Sequence, residues 1–295
     1  MKITNLEPEL LRRAQGGELL AIDAVLQTIQ PGIFNLAVRM LGNREDARDA
    51  TQEILLKVTT HLGSFRGDAS FSTWVYQVAR NQLLTAATRT RESPEVSLDG
   101  LSEQLQIGLE LGQTTWQERS LSPEDKAAAR EMAVTCTQGM LMRLDRDHRL
   151  AYVLDVTFGL SSEVASHVLD ISPAAYRKRL SRARQILDEF SSSICTLVNP
   201  NATCRCEKQQ HALQIHLTSQ VAGSGRSAIR LRLEPAEREA ASRALDKVML
   251  LSSMAGVMRA HPDYQAPDAL LAGIRVVLGS YRNGIYRPSP QGVMN

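Results

Sequence analysis

The chain has 295 residues, with 34 Lys and Arg against 32 Asp and Glu and a formal net charge of only +2. That balance excludes a polycation that binds nucleic acid over its whole surface, so any such surface must come from local segregation of charge. The length suggests two domains or three, and 43% hydrophobic with 22% charged residues suits a soluble globular chain.

No uninterrupted apolar run approaches the roughly 20 residues of a membrane helix, and the opening MKITNLEPELLRR carries acids and lacks an apolar signal-peptide segment. A cytoplasmic protein with no membrane partner is expected. From Glu7 to about Thr90, apolar residues recur at helical spacing through LLRRAQGGELLAIDAVLQTIQ, IFNLAVRML, EDARDATQEILLKVTTHL and FSTWVYQVARNQLLTAA. Punctuation at Pro31-Gly32, Gly42-Asn43 and Gly63 to Gly67 divides these into a bundle of four helices.

Two stretches of this bundle carry chemistry. Asp46, Asp49, Gln52, Glu53 and Leu56 repeat at helical spacing, giving a largely acidic face with an apolar edge, which suits either solvent or a protein partner. FRGDASFSTWVYQVARNQ, residues 65–82, gathers Phe65, Phe71, Trp74 and Tyr76 among Arg66, Arg80 and Asn81 in a chain only 4% aromatic. The spacing of Phe71, Trp74 and Val78 fits a buried stripe, whereas Tyr76, Arg80 and Asn81 are better placed for nucleic acid. Gly67 would let the preceding loop turn tightly.

The chain then divides as 1–92, a linker at 93–125 that is acidic and broken by Pro94 and Pro123, a helical domain at 126–190, and an extension at 191–295. A docking segment around Leu101–Leu111 interrupts the linker. In the second domain a helix ends at Phe158-Gly159. Ser161–Leu169, the turn Asp170-Ile171-Ser172 and a helix opening at Pro173 follow, with Ser172 as N-cap. Ala165, Val168, Ile171, Tyr176 and Leu180 have the spacing of a helix-turn-helix core, and Arg177, Lys178, Arg179, Arg182 and Arg184 make the second helix basic.

In the extension, Cys195, Cys204 and Cys206, with His211 or His216, could furnish a thiolate site for zinc or copper(I), or the cysteines could simply be reduced and buried in a turn around Asn199-Pro200. HALQIHL and AIRLRL are candidate short strands, and 235–260 and 267–279 are amphipathic. The fold class expected is all-α: two small helical domains on a flexible linker, plus a mainly helical extension.

DARDATQEILLKV with FRGDASFSTWVYQVARNQ, then GLSSEVASHVLDISPAAYRKRLSRARQIL, resemble the second and fourth conserved regions of bacterial sigma factors of the extracytoplasmic-function type. The resemblance covers roughly 7–90 and 126–190. It implies a non-enzymatic initiation factor whose partners are RNA polymerase core, promoter DNA and an anti-sigma factor, with no cofactor required. Asp46, Asp49, Gln52, Glu53 and Leu56 would face the clamp helices of the largest subunit. Phe65, Arg66, Asp68, Ser70 and Phe71 would hold an extruded −10 base, with Trp74, Tyr76, Arg80 and Asn81 along the non-template strand. Ser172, Tyr176, Arg177, Lys178, Arg179 and Arg182 would read −35 DNA next to the upstream promoter-side subunit. Two departures stand out: LDRDHRLAYVL replaces a proline-containing LPxxxR start, and Ala174 and Ala175 open the recognition helix without hydrogen-bonding side chains. The competing reading is a stand-alone helix-turn-helix regulator with metal or redox sensing. No phosphate-cradling Gly-rich loop, HExxH or triad-like motif favours an enzyme.

Overall fold

A computed structural model of the chain describes residues 2–89, 97–115, 121–218, 233–248 and 253–282. The first four helices are α1 (Pro8–Gln15), α2 (Leu19–Leu41), α3 (Arg44–His61) and α4 (Phe71–Arg89). The bundle is the expected one, but two of its boundaries differ from the reading of the sequence. The chain breaks at Gly16-Gly17, where Gly17 takes φ +86°, a left-handed conformation open to glycine at little cost. It does not break at Pro31-Gly32: α2 runs through Pro31 because Val25, Ile29, Ile33, Phe34 and Leu36 are all fully buried along one continuous element. Gly32 is required there, since a Cβ would stand 2.7 Å from the Ile3 side chain.

By length and composition α2 could cross a bilayer, but 61% of its most apolar window is buried inside the protein, the profile of a core helix. Gly42 at φ +67° ends it, and the Asn43 side chain caps α3 by accepting from the Glu45 amide at 2.8 Å.

The linker region contains α5 (Leu98–Thr115), longer than the docking segment expected. Its stripe of Leu101, Leu105 and Leu109 is buried, and it packs on α10 (Cys206–Thr218), whose Gln209 donates to the Leu105 carbonyl at 2.7 Å. Thus HALQIHL is helical despite the alternation of Leu213, Ile215 and Leu217, with Ala212 buried and Leu213 exposed. AIRLRL lies outside the described residues, apart from Leu233. Among the described residues there is no strand, and one isolated bridge joins Cys195 to Cys204.

The second domain comprises α6 (Pro123–Met142), α7 (Arg146–Tyr152), a π-helical turn Val153–Thr157, α8 (Ser162–Leu169) and α9 (Pro173–Ile194). Asp145 caps α7, its side chain accepting from the His148 amide at 3.0 Å. Arg149 is buried at the junction of the domains and donates to the carbonyls of Met40 (2.7 Å), Met142 (2.6 Å) and Leu144 (2.8 Å). A guanidinium with five donors thereby satisfies carbonyls at the ends of α2 and α6 and in the turn after α6. One apolar core runs through both domains, so the linker does not leave them apart.

The extension adds α11 (Pro235–Val248), α12 (Met254–Arg259) and α13 (Ala269–Arg282). It packs on the first domain through Arg44, which pairs with the buried Glu237 at 2.8 Å, and on the second through His261, 2.7 Å from Thr137 Oγ1.

Candidate nucleic-acid interface

The loop before α4 is built by a 3-10 turn at Leu62–Ser64 and by Gly67, whose φ of +82° bears out the tight turn read from the sequence. Gln15 pins the loop from α1, donating to the carbonyls of Leu62 (3.2 Å) and Phe65 (2.9 Å). Phe65, Phe71 and Trp74 form one ring cluster with centroids 5.4–5.8 Å apart. Phe71 is buried, while Phe65 and Trp74 keep partly exposed faces. Arg66 and Asp68 are exposed. Ser70 is spent largely on capping, its hydroxyl accepting from the Thr73 amide at 3.2 Å and lying 2.7 Å from Thr73 Oγ1.

Along α4 the structure corrects one assignment. Tyr76 is 1% exposed, its hydroxyl accepts from the Ile3 amide at 3.1 Å, and its ring meets Phe158 edge-on at 5.8 Å. It is a core residue that ties the N-terminal segment to the second domain, and no DNA strand can reach it. Asn81 is exposed. Arg80 is half-buried and donates to the Val168 carbonyl at 3.2 Å, while Gln77, which sequence reasoning passed over, donates to His167 O at 3.2 Å. In this arrangement α4 therefore uses part of its polar face to hold the end of α8.

On α3, Asp49 and Glu53 are exposed, and Asp46, Gln52 and Leu56 are half-buried. Partial burial, then the charges of Asp49 and Glu45, push the Asp46 carboxyl above its ordinary range. Glu53 is held by the Gln82 amide, which also accepts from Lys57 at 2.6 Å.

The helix-turn-helix follows its sequence closely. Ser161 caps α8, Asp170 takes φ +56° in the turn, and Ser172 caps α9 by accepting from the Ala175 amide at 3.1 Å. Ala165, Val168, Tyr176 and Leu180 are buried, with Ile171 packed against them. Tyr176 is accordingly a second correction: fully buried, it donates to Ala151 O at 3.2 Å and has no path to a base edge. Arg177, Lys178 and Arg182 are exposed. Arg179 is half-buried, 3.7 Å from Asp147, and Arg184 pairs with Asp155. The exposed cations of the first turns, unopposed by acids on α9 before Asp188, are what a helix entering a major groove requires.

The cysteine cluster gains a member. Cys136 of α6 lies near enough to Cys195, Cys204 and Cys206 for their charges to act on one another. Burial first, then this mutual repulsion, pushes the thiols up: Cys136 to about 12, Cys204 to about 11, and Cys206 well above its usual value. Among the described residues no three His, Cys, Asp or Glu side chains converge as a metal site. The turn that holds Cys195 is fixed by Asn199, which donates to Ser192 O at 2.8 Å.

Residues 25–92 match the model of sigma-70 region 2, and residues 135–187 match that of sigma-70 region 4. The RNA polymerase sigma-H factor of Pseudomonas aeruginosa is 27% identical over 187 residues, 62% of this chain and 92% of the relative. The ECF RNA polymerase sigma-E factor of Escherichia coli K12 is 28% identical over 181 residues, 61% of this chain and 91% of the relative. A solved structure of CnrH in complex with the cytosolic domain of CnrY aligns over 61% of this chain and 94% of its own, at 20% identity and a TM-score of 0.42. The chain thus carries sigma-70 regions 2 and 4 in order, is similar to extracytoplasmic-function sigma factors over about three fifths of its length, and has a C-terminal extension beyond both.

Proposed function

We propose that this sigma factor binds RNA polymerase core through the α3 face, presents the exposed part of the 65–71 loop and Asn81 to the unpaired −10 strand, and sets Arg177, Lys178 and Arg182 into −35 duplex. The observation that carries the reading is the division of exposure on α9: Tyr176, Leu180 and Ala183 are buried while Arg177, Lys178 and Arg182 project from the opposite side. A stand-alone regulator would use α9 alike, but it would leave the acidic α3 face and the ring cluster without work. On this reading the protein has no enzymatic activity, needs no cofactor, acts in the cytoplasm, and answers to an anti-sigma factor as a third partner. The test is run-off transcription from a genomic promoter pool with core polymerase. Initiation at a defined promoter subset is expected, and lost by the charge reversal Asp49→Lys with Glu53→Lys. Duplex binding by the chain alone with no initiation under any condition would favour the stand-alone regulator.

A further inference from the structure

The extension does not trail from the second domain. It returns across α2 and closes on α3. Its path is set by paired contacts: Gln30 donates to Pro267 O at 3.2 Å, and Arg44 donates to Gln265 O at 3.0 Å. From there α13 packs along α2 and α3, with Leu270, Leu271 and Ile274 buried. Arg275 forks onto Asp23 of α2 at 2.7 and 3.0 Å. Gly273 brings the α13 backbone so close to α3 that an added Cβ would stand 3.1 Å from Gln52 Nε2.

Gln52 belongs to the face through which core polymerase is proposed to bind. Helix-on-helix docking needs axes about 8–10 Å apart, and two helices cannot occupy one seat. Asp49 and Glu53 stay exposed beside it, leaving the acidic half of the face open to a first encounter while the Gln52 side is taken.

From this arrangement we infer that α13 is a built-in blocker: the described structure is a closed state, and residues 253–282 must leave α3 before polymerase can seat. The inference rests on the assignment of α3 as the polymerase face. It explains why the extension is tied to α2 by directional polar contacts as well as apolar ones, since a blocker must select one register on its target. The α4 side chains engaged with α8 describe the same closed state from its other end.

The test uses the full-length chain throughout. Ile274→Glu places a charge at a fully buried position and should release α13, seen as faster amide exchange over 269–276, and should raise affinity for polymerase core at least tenfold. A gentler pair guards against misfolding. Arg275→Asp sets two acids opposed and should raise core affinity about twofold to fivefold, as expected for a partly exposed ion pair, and adding Asp23→Arg should return it to the wild-type value. Restoration by the swapped pair is the outcome that a merely structural role for the pair would not produce in core affinity. If α13 is released and core affinity is unchanged while transcription proceeds, the blocker is wrong and the sigma reading stands. If neither wild type nor released variants bind core, both are wrong.

Discussion

Asn35 and Tyr264 satisfy each other in both directions: the Asn35 amide donates to Tyr264 O at 2.8 Å, and the Tyr264 amide donates to Asn35 Oδ1 at 2.7 Å. One side chain of α2 thus serves as a backbone partner for the extension, at a site where both residues are buried. Asn35 Oδ1 also accepts from Arg39, whose guanidinium reaches Pro262 O and stacks 4.8 Å from the Tyr264 ring. Asn35→Ala leaves buried backbone groups of Tyr264 without partners and should destabilise the fold by about 2–4 kcal/mol. Urea unfolding followed by far-UV circular dichroism measures it, and a loss below about 0.5 kcal/mol would show that the pair does not anchor the extension.

The same anchor is pH-dependent. Thr137 Oγ1 donates to Ala133 O, so its 2.7 Å contact with His261 Nε2 has the imidazole as donor, which leaves Nδ1 to accept from the Tyr264 hydroxyl at 3.4 Å. That directed chain needs a neutral ring. Burial, reinforced by the Arg39 cation, lowers the His261 pKa to about 3. Because the undocked ring would titrate near its ordinary value, the anchor is at full strength above about pH 7. It then weakens as pH falls from about 6.5 toward 3, by roughly 1.4 kcal/mol for each unit. Between pH 7 and 5.5 the wild type should lose about 1.4 kcal/mol more than His261→Gln, read from paired denaturation curves. Parallel curves would remove His261 as the cause.

On α9 the expected effects separate by exposure. Arg177→Ala should weaken −35 duplex binding by about 1–3 kcal/mol if the guanidinium reads a base, and Lys178→Ala should lower the salt slope by about one if the ammonium meets a phosphate. Tyr176→Phe, which removes only a buried hydroxyl bonded to Ala151 O, should cost about 1 kcal/mol of stability and leave affinity unchanged. Fluorescence anisotropy across a salt series distinguishes them. A Tyr176→Phe protein with intact stability and lost binding would reverse the assignment.

These contrasts also mark what the sequence discloses. The caps at Ser161 and Ser172 and the glycine turns at Gly42 and Gly67 are local chemistry, so they are legible from a few neighbouring residues. The break at Gly16-Gly17 is hidden inside an otherwise periodic stretch, Pro31-Gly32 looks like the stronger punctuation, and only tertiary burial on both sides keeps α2 continuous. Tyr76 reads as a nucleic-acid contact, and Tyr176 as both core and contact, because their partners, the Ile3 amide and the Ala151 carbonyl, are remote in sequence. Cys136 joins the other cysteines only through the packing of α6 on α10. Likewise the pattern of 267–279 announces a buried face without saying that α3 covers it. The exposed basic face of α9 was visible because no acid interrupts it.

In the first domain, strand opening should depend on the exposed residues and not on the buried tyrosine. Arg66→Ala and Asn81→Ala should leave stability within about 0.5 kcal/mol and reduce permanganate reactivity of the −10 region in open complexes. Tyr76→Phe should leave those footprints intact while destabilising the fold by about 1 kcal/mol, through the Ile3 amide it strands. Unchanged footprints for both surface variants would exclude them from the melted strand.

The cysteines give the last prediction. Zinc and copper(I) bind thiolates, yet burial raises the pKa of Cys136, Cys195, Cys204 and Cys206, with mutual repulsion adding to it at Cys136, Cys204 and Cys206. Assembling a metal site would require these groups to lose protons in an apolar setting where no third ligand converges among the described residues. The native protein at neutral pH should therefore react slowly with a bulky thiol reagent, and all four thiols should react once the chain is unfolded. Added zinc should not slow the native reaction further. Cys136→Ser should lower stability by about 1 kcal/mol, placing a hydroxyl where a half-buried thiol was, without altering metal content. One equivalent of zinc or copper in protein purified under reducing conditions, lost on Cys195→Ser or Cys206→Ser, would overturn this and restore the metal site suggested by the spacing of Cys195, Cys204, Cys206 and His211.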